Sequence, residues 1–326
     1  MAILETRKHI RLHELQVGMF VEELDNQPRS ADGTFRPFLI STPAQIAWLM
    51  RAKVMSVVIN VQKGLDLHHR APQPAGFDRQ AVEASLLSNF SSKDLEAARH
   101  SIAEAKPDIR NVLAEARISG GFAAKAATTA VERIMSAAMD NPGALIGVAK
   151  LKANDEVTYL HSLAVSALMI AFGRNLGLDE DGVRLLGIGG LVHDLGKMTL
   201  PPAILMKTGK LTTEEMGIMR THTQRGYQVL SSIDTTPQEV LDICLFHHEK
   251  FDGTGYPRRL IGMQIPYFAR IAAICDVYDA LTTIRPYKKA LSQGEAIDLM
   301  ITSEGHFDRE LLSAFLSKMI ISGTLH

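Results

Sequence analysis

The stretch LVHDLGKMTL, residues 191–200, constrains the fold of this chain more than any other. An apolar run ends in an imidazole and a carboxylate side by side, His193 and Asp194. A Leu-Gly step and Lys197 follow. Either polar group is costly to take out of water unless a partner meets it. Whatever folds around residue 193 must therefore bring in groups that satisfy both.

The surroundings of that stretch read as helix almost throughout. Asn154 or Asp155 can cap a helix whose apolar face is Val157, Leu160, Ala164, Leu168 and Ala171. Thr212 with Glu215, Thr236-Pro237 with Glu239, and Ser292 with Glu295 each have capping-box spacing. Pro266 opens a helix running to about Leu281, and Asp308 can cap a last one. Residues 150–326 are therefore expected to form an all-α bundle.

Residues 1–62 read differently, as a small mixed α/β domain. Short strands are expected around Val17–Val21 and Phe38–Ile40, and VMSVVINV over 54–61 is a β-branched strand. Between them, Thr42-Pro43 opens a helix with Ile46, Leu49 and Met50 at helical spacing. Gly64 to Gly76, with two prolines and His68-His69, reads as a solvated linker. Residues 78–150 are rich in Ala and charge and read as two or three helices, punctuated by Pro107 and Gly120-Gly121. The expectation is α+β overall: a domain over 1–62, a linker and helical connector over 63–149, and the bundle over 150–326.

Charge and cysteine use exclude several classes. The net charge of −1 supplies no general field for a nucleic-acid polymer or an acidic membrane. No apolar run reaches the ~18 residues of a membrane span, and the first residues lack the apolar core of a secretory signal. Cys244 and Cys275 sit in apolar helical patterns and read as reduced core residues of a cytoplasmic protein. The Ala-rich connector is compatible with a homodimer.

Five of the twelve histidines, His161, His193, His222, His247 and His248, fall in or at the ends of these predicted helices, as do Asp194 and Asp276. One such histidine is ordinarily a satisfied core residue. Neutral imidazoles and ionised carboxylates converging in an apolar bundle need compensating charge, and a cation supplies it. With no Cys in the set, nitrogen and oxygen ligands suit Fe, Mn, Zn, Co or Ni. Seven ligands are too many for one open catalytic ion and suit two ions bridged by a carboxylate. Adjacent helical residues diverge by about 100°, so His193-Asp194 and His247-His248 can each face neighbouring ions, with Asp194 between.

In this order and spacing, His161, His193-Asp194 within HDLGK, the HTQRG of 222–226, HHEKFDGTGYP (247–257) and RIAAICDVYDALTTIRPYK (270–288) resemble the HD-GYP family, a branch of the HD phosphohydrolases. The resemblance covers roughly residues 150–310. LQVGMFVEELD (15–25) and FLISTPAQI (38–46) also resemble a small module of unknown function that often precedes such domains.

The resemblance implies an HD-type bundle and hydrolysis of cyclic di-GMP to pGpG, in some members on to GMP, by a metal-bridging hydroxide. It implies seven metal ligands: His161, His193, Asp194, His222, His247, His248 and Asp276. Lys197, Arg285 and Lys288 match basic residues that hold the substrate phosphate, with Asp194 and Lys197 catalytic. Gly253, Gly255, Tyr256 and Pro257 form the signature loop beside the pocket. Members holding three metals carry Glu four residues before the first His. Here that position is Val157, and Asp155 and Glu156 rotate to other faces. Two divalent transition-metal ions are expected, iron or manganese first. Glu249, Asp252 and Asp279 are candidates for bracing the ligands or the loop.

Two other readings use the same residues. A cyclic di-GMP sensor or scaffold would bind with little turnover, and a general HD phosphohydrolase would act on a nucleotide monoester. The complete ligand set argues against the first, and the GYP stretch with Arg285-Pro-Tyr-Lys288 against the second. Partners that make or respond to cyclic di-GMP are compatible with either activity or scaffolding.

Overall fold

A computed structural model describes residues 6–12, 15, 18–24, 35–42, 45–46, 48–49, 54, 56–64, 86–150, 157–205, 207, 209–283, 290–321 and 324–325. The architecture is α+β, as expected. Four strands, β1 (Arg7–Arg11), β2 (Phe20–Leu24), β3 (Phe38–Leu39) and β4 (Ser56–Asn60), form an antiparallel sheet in the order β1-β4-β2-β3. β1 was not foreseen. Its sequence RKHIR carries three cations and a single aliphatic side chain, which hides the pattern of an edge strand. The register places Ile10 opposite Val57, and Ile10, Val21, Ile40, Leu49, Val57 and Ile59 make a small apolar core of their own.

The helices follow: α1 (Ser92–Ile118), α2 (Ala124–Asp140), α3 (Pro142–Lys150), α4 (Val157–Leu176), α5 (Glu180–Val192), α6 (Pro202–Leu205), α7 (Thr213–Arg220), α8 (His222–Ser231), α9 (Gln238–Phe246), α10 (Tyr267–Thr282), α11 (Gln293–Thr302) and α12 (Arg309–Phe315). A 3-10 turn spans Leu195–Thr199, and a π-helical stretch spans Leu316–Ile321. One continuous apolar core runs from Leu95 on α1 to Met319, so it crosses residue 150 without a break. α1 also packs on the Leu195–Thr199 turn.

Three sequence expectations meet different local physics. Pro107 does not end a helix. It lies on the exposed side of α1, whose inner face buries Leu95, Ile102, Ile109 and Val112, enough to offset a lost hydrogen bond. Pro237 rather than Thr236 takes the N-cap of α9, and the Thr236 hydroxyl donates instead to the Leu230 carbonyl at 2.8 Å. The boxes Thr212/Glu215 and Ser292/Glu295 do form, and Asp308 caps α12. α4 is not half-exposed. From Tyr159 to Phe172 it is buried on all sides, because α2, α3, α5 and α10 surround it. The expected caps Asn154 and Asp155, the Pro43 and Met50 positions, and the His68-His69 linker lie outside the described residues.

A candidate metal centre

The central helix α4 carries His161 one turn from its start, and the ends of three other helices converge on it. His193 and Asp194 follow α5, His222 opens α8, and His247-His248 follow α9. Asp276 and Asp279 face inward from α10. Glycines permit these approaches. A Cβ at Gly190 would lie 2.9 Å from the Ser166 Cα, so α5 can rest directly on α4. A Cβ at Gly196 would lie 1.9 Å from the His222 carbonyl oxygen, so the turn after Asp194 is pressed against the first turn of α8.

All seven expected ligands come together, in two groups: Asp194, His222, His247 and His248, and His161, His193 and Asp276. Within each group the candidate ligand atoms lie within 4.8 Å of one another. Asp194 reaches both. Its Oδ1 is 3.3 Å from His222 Nε2 and 3.8 Å from His247 Nε2. Its Oδ2 is 3.5 Å from His161 Nε2 and 3.4 Å from His193 Nε2. His161 Nε2 is also 3.2 Å from Asp276 Oδ1.

The backbone sets the orientation of these rings. His193 Nδ1 donates to the Gly190 carbonyl at 2.7 Å, and His222 Nδ1 to the Met219 carbonyl at 2.8 Å. His247 Nδ1 donates to the Ile243 and Cys244 carbonyls at 3.0 and 3.1 Å. A neutral imidazole that donates through Nδ1 can only accept through Nε2. The Nε2 atoms of His222 and His247 nevertheless stand 3.4 Å apart and face the Asp194 carboxylate. His193 Nε2 and Asp194 Oδ1 are buried without any hydrogen-bond partner. Lone pairs collected in this way repel one another unless a cation sits among them. The residues therefore fit a metal, and the chemistry of the donor set is that of a nitrogen–oxygen site.

Asp279 is fully buried, with Oδ2 2.7 Å from His161 Nδ1, and its Oδ1 accepts from the Thr283 hydroxyl at 2.8 Å. This is the carboxylate–imidazole pairing that orients a ligand histidine. Burial opposes a charge on His161, but Asp194, Asp276 and Asp279 around it outweigh burial and raise it to about 10. Burial pushes Asp194 up, yet Lys197 and His193 hold it well below the usual carboxylate range. Burial, with His248 adjacent, lowers His247 well below the ordinary imidazole value, and burial brings His248 down to about 3. These two rings are neutral, as metal ligands must be.

Lys197 Nζ contacts Asp194 Oδ2 from a partly exposed position at the rim. Arg285 and Lys288 lie outside the described residues. The signature loop sits beside the cluster, and Tyr256 is its point of contact, stacked on His248 at 4.7 Å and 29°. Gly253, at φ 82°, and Gly255, whose Cβ would meet the Lys250 nitrogen at 2.2 Å, shape the turn. Glu249 braces the loop by accepting from the backbone N–H of Arg258 at 2.6 Å and of Leu260 at 3.1 Å. Exposed Asp252 accepts from the N–H and hydroxyl of Thr254 and makes no hydrogen bond to a candidate ligand histidine. Sequence reasoning did not anticipate Arg220, whose guanidinium lies 5.3 Å over the Tyr256 ring. Its one visible signal is a position two residues before His222. Cys244 and Cys275 are free and buried, as expected.

A helical domain with two histidine-aspartate groups sharing one carboxylate defines a class, and the comparisons give the family. The HD domain family matches residues 131–311, and a domain of unknown function, DUF3391, matches residues 7–127. The chain belongs to the HD-domain family, and its GYP-bearing loop puts it in the HD-GYP branch. It is 39% identical over 321 residues to the cyclic di-GMP phosphodiesterase PA4108 of Pseudomonas aeruginosa, covering 95% of this chain and 76% of that one. It is 42% identical over 143 residues to the cyclic di-GMP phosphodiesterase response regulator RpfG of Xanthomonas campestris, covering 43% of this chain and 38% of that one. Over 168 residues it is 34% identical to the 3'3'-cGAMP-specific phosphodiesterase 2 of Vibrio cholerae, covering 51% of this chain and 32% of that one. The solved HD-GYP-type protein Bd1817 of Bdellovibrio bacteriovorus shares the fold, with a TM-score of 0.58 at 18% identity over 95% of this chain and 98% of that one. Among the described residues, no helix is long and apolar enough to cross a membrane.

Proposed function

We propose that this chain is a cytoplasmic phosphodiesterase that hydrolyses cyclic di-GMP to pGpG at a centre holding two divalent transition-metal ions, iron or manganese first. The observation that carries the proposal is Asp194, buried between two groups of imidazoles whose Nε2 atoms are turned toward it. His161, His193, Asp194 and Asp276 would hold one ion, and Asp194, His222, His247 and His248 the other. Val157, four residues before His161, offers no ligand atom for a third. Two such ions, when bound, make a water nucleophilic near neutral pH and neutralise charge on the phosphate under attack.

The chain's own residues do the rest. Asp279 holds the His161 ring in place through Nδ1. Lys197 stands at the rim as a compact charge for a phosphate oxygen. Arg285 and Lys288 are proposed to bind the same phosphate on sequence grounds. Tyr256 walls the His248 side, and Gly253, Gly255 and Pro257 shape the turn that presents it. The names of PA4108 and RpfG support cyclic di-GMP as the substrate.

Anaerobic purification, metal analysis and a cyclic di-GMP turnover assay test this reading together with Asp194→Ala. The variant is expected to lose metal and turnover while its helical circular dichroism persists. Turnover retained by Asp194→Ala would sink the mechanism, and a third ion in the unsubstituted protein would overturn the reading of Val157.

A further inference from the structure

We propose that Arg220 binds the second phosphodiester of the cyclic dinucleotide, the one not being cleaved. This inference rests on the cyclic di-GMP reading above and extends it to a residue outside the expected site. Arg220 ends α7, two residues before His222 opens α8, so its backbone is fixed beside a ligand histidine. Its guanidinium lies 5.3 Å over the Tyr256 ring, and Tyr256 is itself stacked on His248. A cation held over a ring face keeps its charge beside the cluster while its N–H groups remain able to donate to an anion.

Arg220 is exposed, and among the described residues no carboxylate pairs with it. Its neighbours are committed elsewhere. Arg225 donates to the Thr221 hydroxyl at 3.0 Å and to the Thr199 carbonyl at 3.3 Å. Lys207 pairs with Glu215 at 2.6 Å.

The substrate supplies the matching chemistry. A cyclic dinucleotide carries two phosphodiesters on one ring. When one lies among the imidazoles and Lys197, the other is held away from them by the sugars. The cluster cannot neutralise both. A guanidinium held against Tyr256 at the edge of the cluster, with its donors unclaimed by a carboxylate, meets that second anion. Arginine is suited to it because its fork can grip two phosphate oxygens. The contact would favour substrates with two phosphodiesters over those with one.

The test compares steady-state kinetics of the metal-loaded full chain on cyclic di-GMP and on bis(p-nitrophenyl) phosphate, which has one phosphodiester and no base. Arg220→Ala is expected to raise the KM for cyclic di-GMP about tenfold, with a smaller change in kcat. The loss in kcat/KM should be about tenfold greater for cyclic di-GMP than for the small diester. Arg220→Lys keeps the charge but loses the fork, and should recover part of the difference.

Equal losses on both substrates would make Arg220 a support for Tyr256 and His248 and overturn the assignment. An unchanged KM for cyclic di-GMP would overturn it too. If Arg220→Lys behaves as Arg220→Ala, positive charge plays no part in the contact, and the assignment to a phosphate also fails. Absence of cyclic di-GMP turnover in the unsubstituted protein would instead refute the proposed function, so the two failures are told apart.

Discussion

Gly196 offers a direct test of how the centre is assembled. A methyl group at this position would place Cβ 1.9 Å from the His222 carbonyl oxygen and 2.4 Å from the Gly226 nitrogen. Both are backbone atoms, so no rotamer change relieves the overlap. Ordinary contact begins near 3.4 Å. In Gly196→Ala the turn and the start of α8 must therefore part by the difference between 1.9 and 3.4 Å, about 1.5 Å. Overpacking of this kind costs about 1–3 kcal/mol, while a domain has about 5–15 kcal/mol in all.

The variant should therefore fold and melt at a lower temperature. Its metal site should fare worse. Ligand distances are held to about 0.2 Å, so parting α8 from the turn takes His222 out of reach of an ion shared with Asp194. Metal content per chain, circular dichroism melting and cyclic di-GMP turnover should show a folded protein depleted of metal and activity. Full metal occupancy with unaltered turnover in Gly196→Ala would refute the idea that this contact sets the spacing of Asp194 and His222.

Two further outcomes follow from the surroundings of the centre. Asp279→Asn keeps the size of the side chain but weakens its hold on His161 Nδ1. Metal affinity, measured by titration with manganese, should fall about 10- to 100-fold with helicity unchanged, and an unaltered affinity would remove Asp279 from the support of the site. His306 is brought down to about 4 from 6.5 by burial, with Lys250 adding to the effect. Its folded value is below its unfolded value, so the unfolded chain takes up the proton first as pH falls. Stability present above pH 6.5 should decline toward pH 4, and His306→Gln should decline less steeply over that window in urea unfolding.

The seven candidate ligands and their convergence were legible because a buried imidazole or carboxylate needs a partner, and their spacing along the chain follows the helix ends. Capping boxes such as Thr212/Glu215 were legible because both halves lie within one turn. β1 was hidden because its charges mask a strand that meets β4 only after about 45 residues of intervening chain. The Gly196–His222 approach and the Arg220–Tyr256 contact join segments separate in sequence, and local pattern carries no trace of such contacts. Pro107 misled for the converse reason: burial along a 27-residue helix overrides one missing hydrogen bond.

The single Asp194 side chain turns one oxygen toward each set of imidazoles, so under the proposed two-ion reading the two seats would be coupled through one carboxylate. Losing that one side chain, or protonating it, would weaken both seats together and not one of them alone.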